Sequence, residues 1–260
     1  MLMGKRKRED VIDELTLALL YLTRFNDREG NHFNEMAWKN YDFDAIERLD
    51  NSDYIVDPKR SRGGGYKHAY LTEKGREKAR EILKELNAED YKIYEQFEFR
   101  EIKQEEADEA AEIEQACFPA NEACSPEHMK DRIKAASDCF LVAIDRENGK
   151  IAGFLNGIAT DEYQFRDEFF TDAKLHDPDG RNIMLLGLDV LPEYRKQGLG
   201  RELVYNYCRK EQARGRKCLV LTCLKNKVKM YTKLGFQDRG ESASKWGGEK
   251  WHEMDIFLNL

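Results

Sequence analysis

The sequence predicts an α+β fold: a mixed sheet with few helices, preceded by a small domain of helices and one hairpin. Three observations carry this expectation. Asn182 to Val190 is almost continuously apolar, as a strand covered on both faces would be. It leads into a Gly-rich turn and then a helix on which Leu203, Val204 and Tyr207 recur at helical spacing. Cys139–Asp145 and Ile151–Thr160 are two more apolar runs, and Glu147-Asn148-Gly149 between them is a hairpin signal. The first third of the chain reads as helix, helix, hairpin, helix, with strands and helices interspersed thereafter.

The 260 residues suffice for one large domain or two ordinary ones, and 41% hydrophobic with 36% charged residues is a globular composition with a heavily solvated surface. No apolar run approaches the roughly 20 residues of a membrane span. The basic start at Lys5-Arg6-Lys7-Arg8 lacks the apolar core of a signal peptide. A cytoplasmic protein with no membrane association is expected. The cysteines, Cys117, Cys124, Cys139, Cys208, Cys218 and Cys223, form no Cys-x-x-Cys pair, and no His stands at metal-ligand spacing, so reduced thiols and no metal are expected. A net charge of −7 disfavours nonspecific nucleic-acid binding.

Taken in order, Asp10–Leu22 carries Val11, Ile12, Leu15, Leu17, Leu19, Leu20 and Leu22, which predicts a buried helix. Trp38, Tyr41, Phe43, Ile46 and Leu49 predict a second helix or a pair of short ones. Strands at Tyr54–Val56 and Tyr66–Leu71 around the turn-prone 57–65 make a hairpin. Thr72 is the N-cap of a helix running to about Leu86. This order, with Asp50-Asn-Ser-Asp-Tyr-Ile-Val56 and Ala69-Tyr-Leu-Thr-Glu-Lys-Gly75, resembles the winged-helix domain of MarR- and PadR-type regulators. The resemblance implies phosphate contacts from Lys59, Arg60, Arg62, Lys67 and His68. The helix before the hairpin, however, carries Asp42, Asp44, Glu47 and Asp50, which DNA phosphates would repel. DNA binding through residues 1–88 is therefore not favoured, although it stays open beside a dimerisation or protein-contact role. A homodimer is compatible with either.

Residues 89–96 read as a polar linker to a second domain over 97–260. There, Phe97–Ile102 is a strand, Glu105–Cys117 a helix, Phe118–Ser125 irregular and Pro126–Ala136 a helix. After the hairpin and an aromatic, acidic insert at 161–180 comes the apolar strand to Val190. Leu219–Cys223 is a strand, Asn226–Leu234 a helix closed by Gly235, and Trp251–Leu258 a final strand.

Gly198 and Gly200 remove the Cβ atoms that would hold a ligand off the backbone, at a helix N-terminus whose first N–H groups lack partners. Such a site binds phosphate. A tight turn also uses glycine for conformation alone. The run Arg195-x-x-Gly198-x-Gly200 resembles the coenzyme A signature of the GNAT N-acetyltransferases, Gln/Arg-x-x-Gly-x-Gly/Ala. It is neither a P-loop nor a dinucleotide fingerprint. The resemblance implies the fold of that superfamily, a mixed, mainly antiparallel sheet flanked by helices, and acetyl-CoA as co-substrate. Leu188, Asp189 and Val190 would lie along the pantetheine arm, and Arg195, Lys196, Gln197, Gly198, Leu199, Gly200 and Arg201 would enclose the pyrophosphate.

Lys229-Met-Tyr231-Thr-Lys-Leu-Gly235-Phe236 resembles the closing motif of the same superfamily. With Ala116-Cys-Phe118-Pro119, Leu221-Thr-Cys223 and Trp251-His-Glu-Met254, it is similar to the serotonin, or arylalkylamine, branch. That branch implies Tyr231 as general acid to the departing thiolate. It also implies Phe118, Pro126, Trp246 and Trp251 as an acceptor pocket, although aromatics there also serve as ordinary core. Two histidines of the vertebrate enzymes are replaced by Met184 and Leu186, neither of which accepts a proton. Glu122 is the candidate general base, against the alternative of a solvated loop glutamate, with His252 and His176 behind it. The expected function is acetyl transfer to a primary amine of a small, aromatic molecule by direct attack in a ternary complex. An acyl-CoA-sensing regulator and a protein N-acetyltransferase are the alternatives.

Overall fold

The computed structural model describes residues 6–26, 35–39, 41–58, 68–87 and 92–258. They fall into two compact units, one up to Lys92 and one from Ile93 onward.

The N-terminal unit comprises α1 (Arg8–Leu22), β1 (Phe25–Asn26), β2 (Glu35–Trp38), α2 (Phe43–Asn51), β3 (Ile55–Val56), β4 (His68–Leu71) and α3 (Glu73–Glu85). Its described strands form an antiparallel sheet in the order β1-β2-β4-β3. Leu17, Leu20 and Tyr21 of α1 pack with Ile46 and Leu49 of α2 and with Ile82 and Leu83 of α3, so the apolar periodicity of all three helices converges on one core. The Thr72 hydroxyl accepts from the Gly75 N–H at 2.9 Å and caps α3, as its position predicts.

The stretch from Trp38 to Leu49 departs from the predicted helix or helix pair. Glu35–Trp38 is a strand paired with β4 through Met36↔Tyr70 and Ala37↔Ala69. Met36 and Ala37 are both buried and Trp38 is half-exposed, so it is the backbone pairing to β4, rather than a side-chain period, that marks this strand. The helix begins only after Asp42, whose carboxylate caps the Ala45 N–H at 2.9 Å. Among the described residues, one helix therefore stands between α1 and the β3–β4 hairpin. Lys59, Arg60, Arg62 and Lys67 lie outside the described residues.

The C-terminal unit comprises α4 (Lys92–Gln96), β5 (Phe97–Glu101), α5 (Ala107–Cys117), α6 (Pro126–Ala136), β6 (Phe140–Asp145), β7 (Ile151–Thr160) and β8 (Asn182–Val190). It continues with α7 (Leu199–Ala213), β9 (Cys218–Leu224), α8 (Lys225–Lys233), β10 (Gln237–Glu241) and β11 (Trp251–Phe257). The described strands make one sheet in the order β10-β11-β9-β8-β7-β6-β5, antiparallel except between β8 and β9. Both faces are covered. Phe140, Val142 and Ile144 of β6 pack with Ile113 of α5 and with Met129 and Ile133 of α6. Leu141 and Ala143 share the opposite core with Leu203, Val204 and Tyr207 of α7. Double coverage is why these strands read as continuous apolar runs.

β10 has no counterpart in the sequence reading. Gln237-Asp-Arg-Gly-Glu241 lacks an apolar side chain and stays mostly exposed, because it is an edge strand stitched to β11 by backbone pairing and by the Arg239–Asp255 ion pair at 2.8 Å. All six cysteines are free thiols. No described helix is long and apolar enough to cross a membrane.

Tyr207 is fully buried, and its hydroxyl donates to the Cys139 carbonyl at 2.9 Å, tying α7 to the start of β6. Tyr207→Phe leaves that carbonyl without this donor and should destabilise the C-terminal unit by about 1–2 kcal/mol. Urea unfolding of the full chain followed by tryptophan fluorescence measures the change.

Candidate active site

The parallel ladder between β8 and β9 runs from Asn182↔Cys218 to Leu185↔Leu221 and stops there, although β8 continues to Val190 and β9 to Leu224. The strands part at a bulge. Across β7, Asn156 pairs with Gly187 and Gly157 with Leu185, so Leu186 is an extra residue that bends β8 away from its parallel neighbour. Between the separated ends lies a cavity of about 770 Å³, walled by Leu186, Gly187, Leu188 and Val190 on one side and by Leu221, Thr222, Cys223 and Leu224 on the other. Backbone groups of β8 that a neighbouring strand would otherwise pair face this space.

At one end of the cavity stands the Gly-rich turn. Lys196 and Gly198 both have positive φ, 62° and 91°, and Gly198 is the N-cap of α7. The first bond of the α7 ladder runs from the Glu202 N–H to the Gly198 carbonyl at 3.1 Å, so the N–H groups of Leu199 and Gly200 precede it. Arg195, Lys196, Gly198, Leu199, Gly200 and Arg201 line the cavity together with Lys227 of α8. The Arg195 guanidinium donates through Nε to the Val190 carbonyl at 2.7 Å. Two residues of α4 buttress the turn. The Ile93 side chain lies 3.2 Å from where a Cβ would project from Gly198, and the Tyr94 hydroxyl donates to Glu202 Oε2 at 2.6 Å. This combination of a helix N-terminus, an exposed glycine backbone and four cationic side chains fits a pyrophosphate.

Tyr231, Glu122, Phe118, Trp246 and Trp251 line the same cavity, joined by Phe170 from the 161–180 insert. Phe170 stacks on Trp246 with centroids 4.8 Å apart. Trp246 Nε1 donates to the Glu122 carbonyl at 2.7 Å, and Trp251 Nε1 donates to the Trp246 carbonyl at 2.9 Å. The aromatic wall thereby fixes the loop that carries Glu122. Burial, and then Glu249 nearby, raises the Glu122 carboxyl above its ordinary value. Burial pushes the Tyr231 phenol well up.

Three predicted site residues sit outside the cavity wall. Pro126 is exposed at the first turn of α6, following the Ser125 cap. Gln197 turns its side chain back to the Glu193 carbonyl at 2.8 Å. Asp189 is fully buried on the opposite side of β8, because successive strand residues alternate faces. Leu186 lines the cavity, whereas Met184 is buried in the core. His176 accepts the Ala159 N–H at 3.1 Å, and His252 lies 3.0 Å from Asp238 on the β10–β11 edge, both away from the cavity.

A polar cluster behind Gly187 escaped the sequence reading. Glu114 lines the cavity although only 3% exposed, and Asp189 and Arg132 are as deeply buried. Glu114 Oε1 accepts the Cys124 N–H at 3.0 Å. Arg132 donates to Asn156 Oδ1 at 2.9 Å and to the Phe170 carbonyl at 3.0 Å. A signal existed: Ala107, Ala110, Ala111 and Glu114 share one face of α5, and a carboxylate on an apolar face is one that has to be buried. Among the described residues no group of three His, Cys, Asp or Glu is placed to hold a metal ion.

Residues 107–236 match the acetyltransferase (GNAT) family, and residues 8–89 match a domain of unknown function, DUF6429. An uncharacterised protein, y4hR, of Sinorhizobium fredii is 35% identical over 78 residues, 30% of this chain and 90% of that protein. The structure of the GNAT-like decarboxylase GphF in complex with isobutyryl-CoA aligns with 62% of this chain and 100% of its own, at 19% identity and a TM-score of 0.54. The loading GNATL domain of CurA from Lyngbya majuscula aligns with 62% of this chain and 98% of its own, at 16% identity and a TM-score of 0.54. At such identities the likeness speaks for the fold.

Gly198→Val puts a β-branched residue at φ 91° and presses it on Ile93. Strain of this kind should weaken acetyl-CoA binding by roughly tenfold or more. Isothermal calorimetry reads the loss, and an unchanged circular dichroism spectrum shows that the fold is kept.

Proposed function

The chain belongs to the acetyltransferase (GNAT) family, whose match spans half of it, and we propose that it acetylates the primary amine of a small, aromatic molecule from acetyl-CoA. One observation carries this reading. The cationic glycine turn, the unpaired edge of β8, Tyr231, Glu122 and a wall of Trp246, Trp251, Phe170 and Phe118 all border one cavity. A polyanionic thioester and a cationic aromatic amine would each meet the complementary end of that space.

In this reading the pyrophosphate rests on Lys196–Arg201, and the pantetheine arm runs along Leu188 and Val190 as an added strand would. An aliphatic amine has a pKa near that of lysine, about 10.4, and must shed a proton before it can attack. The Glu122 carboxylate, on the loop whose Glu122 carbonyl is held by Trp246, accepts that proton. The freed lone pair attacks the thioester carbonyl, and backbone N–H groups at the parted strand stabilise the oxyanion. The adduct nitrogen loses its second proton to water, and as the C–S bond breaks Tyr231 donates its proton to the leaving sulfur. Its upward-shifted pKa keeps the phenol loaded at neutral pH.

Direct attack agrees with the state of the thiols lining the cavity. Cys117 is pushed up to about 11 and Cys223 to about 12, in each case chiefly by burial, so neither is a ready nucleophile at neutral pH. The free thiols suit a reducing compartment, and we place the reaction in the cytoplasm. The winged-helix resemblance of residues 1–88 enters the proposal as a protein-contact module. The exposed face of α2 offers Phe43, Asp44 and Glu47, which suits a protein surface better than a phosphate backbone.

Coenzyme A release from acetyl-CoA, measured against tryptamine, phenethylamine, spermidine and a lysine peptide, tests the proposal. Turnover confined to the aromatic amines is the expected result. Turnover of spermidine or peptide alone would overturn the acceptor class, and binding of acetyl-CoA without release would overturn the reaction.

Tyr231→Phe should lower kcat roughly 10²- to 10³-fold while leaving acetyl-CoA affinity within about twofold. Because burial raises the phenol, the wild type should show no basic limb assignable to Tyr231 below about pH 10. A pH–rate profile of both proteins checks the two statements together.

A further inference from the structure

The aromatic wall of the cavity is assembled from separate segments, and the one that carries Trp246 does not hold its own shape. Trp246 stands on the connection between β10 and β11, where the next two residues, Gly247 and Gly248, take φ of 61° and 79°. Consecutive left-handed glycines have many other conformations open to them, so contacts from outside the connection must set where Trp246 lies. On one side the connection meets the loop of Glu122. A Cβ on Gly247 would lie 2.8 Å from the Asn121 carbonyl oxygen and 3.1 Å from Glu122 Cγ, and Asn121 Nδ2 donates to the Gly247 carbonyl at 2.9 Å.

On the other side it meets the 161–180 insert, which is firmly anchored. Glu253 of β11 accepts the Phe165 N–H at 3.1 Å, and Arg132 of α6, itself buried, donates to the Phe170 carbonyl at 3.0 Å. Between these two points Phe165 and Phe169 are buried edge to face, with centroids 5.8 Å apart. The stretch from Phe165 to Phe170 is thus tied at both ends and packed in its middle. Asp167 and Phe170 begin and end a 3-10 turn on it, and residues three apart in such a turn fall on the same side. Phe170 uses that side to stack on the Trp246 ring.

We infer that Asp167 is a positioning residue for the acceptor: its carboxylate seats the 242–250 connection on the insert and so fixes the wall that Trp246 forms. The inference rests on the acyl-transfer reading above. One Asp167 oxygen accepts the Ser244 hydroxyl, and the other accepts the Lys245 N–H at 3.0 Å. Ser244 is buried, and its Oγ in turn accepts the Trp246 N–H at 3.4 Å. One side chain therefore holds two consecutive residues directly and the third, Trp246, through the serine. Phe170 constrains the ring and Asp167 the backbone from which the ring hangs. Without the carboxylate the Lys245 N–H and the buried Ser244 hydroxyl lose their acceptor, and the glycines that follow offer no resistance to a shift.

The effect is confined to the acceptor end. Asp167 does not line the cavity, and the cationic turn and the parted strands are built from other residues. Glu122 keeps its own turn, since its N–H is bonded to the Pro119 carbonyl at 2.9 Å. Loss of Asp167 should therefore weaken capture of the amine more than it slows the bound amine's reaction.

Asp167→Ala and Asp167→Asn in the full chain test the assignment. Asp167→Ala should raise the KM of an aromatic amine roughly tenfold, lower kcat by about threefold at most and leave acetyl-CoA affinity within about twofold. Asp167→Asn should recover most of the loss, because its amide oxygen can accept the Lys245 N–H while its NH2 group donates to Ser244 Oγ. A carboxylate that serves stability alone would lower Tm and leave the amine KM where it was, which would overturn the inference, as would an equal loss of acetyl-CoA affinity. Acrylamide quenching of tryptophan fluorescence gives a readout independent of turnover, in a Trp38→Phe background so that Trp246 and Trp251 report. Quenching should rise roughly twofold in Asp167→Ala and return toward the parent value in Asp167→Asn. Unchanged quenching would overturn the seating. A parent protein that binds acetyl-CoA but acetylates no amine, with quenching that responds as stated, would overturn the acyl-transfer reading and leave the seating of Trp246 standing.

Discussion

The rest of the C-terminal unit depends on the point where β8 and β9 stop pairing. A parallel ladder that continued past Leu185 and Leu221 would satisfy the backbone of Leu186–Val190 and leave no space between the strands. The bulge at Leu186 prevents this, and the two strands separate while each keeps its other neighbour, β7 for β8 and β11 for β9. The sheet thus stays anchored on both sides of the gap. The result is a cavity whose wall is backbone, held rigidly by packed strands, with the N-terminus of α7 at one end because that helix follows β8 directly. Ile93 and Tyr94 stiffen the turn from behind, so its left-handed residues are held by packing as well as by glycine.

Charge is sorted along this cavity despite a net charge of −7 for the whole chain. Arg195, Lys196, Arg201 and Lys227 crowd the glycine turn, whereas Glu114 and Glu122 are the acids on the cavity wall. Such sorting orients a ligand that is anionic at one end and a second that is cationic, and net charge says nothing about it. Arg132 lies beneath the wall, and its contacts tie Asn156 of β7 to the Phe170 carbonyl on the aromatic side of the cavity. Phe170 and Trp246 in turn fix the loop bearing Glu122.

Much of the fold was legible because the C-terminal sheet is covered on both faces, so its strands announce themselves as apolar runs. The helix Pro126–Ala136 was legible from its proline and its period. What escaped lacked that contrast. β10 is an edge strand made of polar residues and is defined by backbone bonds that no side chain advertises. Trp38 belongs to a strand through its pairing with His68 of β4, yet its spacing to Tyr41 and Phe43 imitated a helix. At the candidate site, Gly198, Gly200, Tyr231, Glu122, Trp246 and Trp251 were legible from motifs, and they border one cavity. Asp189 was placed on the right strand, but period-two alternation turns it to the far face. Glu114 went unread although it shares the apolar face of α5 with Ala107, Ala110 and Ala111, because its place on the cavity wall depends on the packing of α5 against the sheet, which no local pattern encodes.

The central claim is that the gap between β8 and β9 receives the acyl donor. Amide hydrogen exchange of the full chain, with and without saturating acetyl-CoA, tests it most directly. The account predicts slowed exchange at Leu186–Val190 and at Leu199–Gly200, where backbone groups gain partners from the ligand. Binding that leaves both stretches unprotected, or that protects only residues remote from the gap, would contradict it.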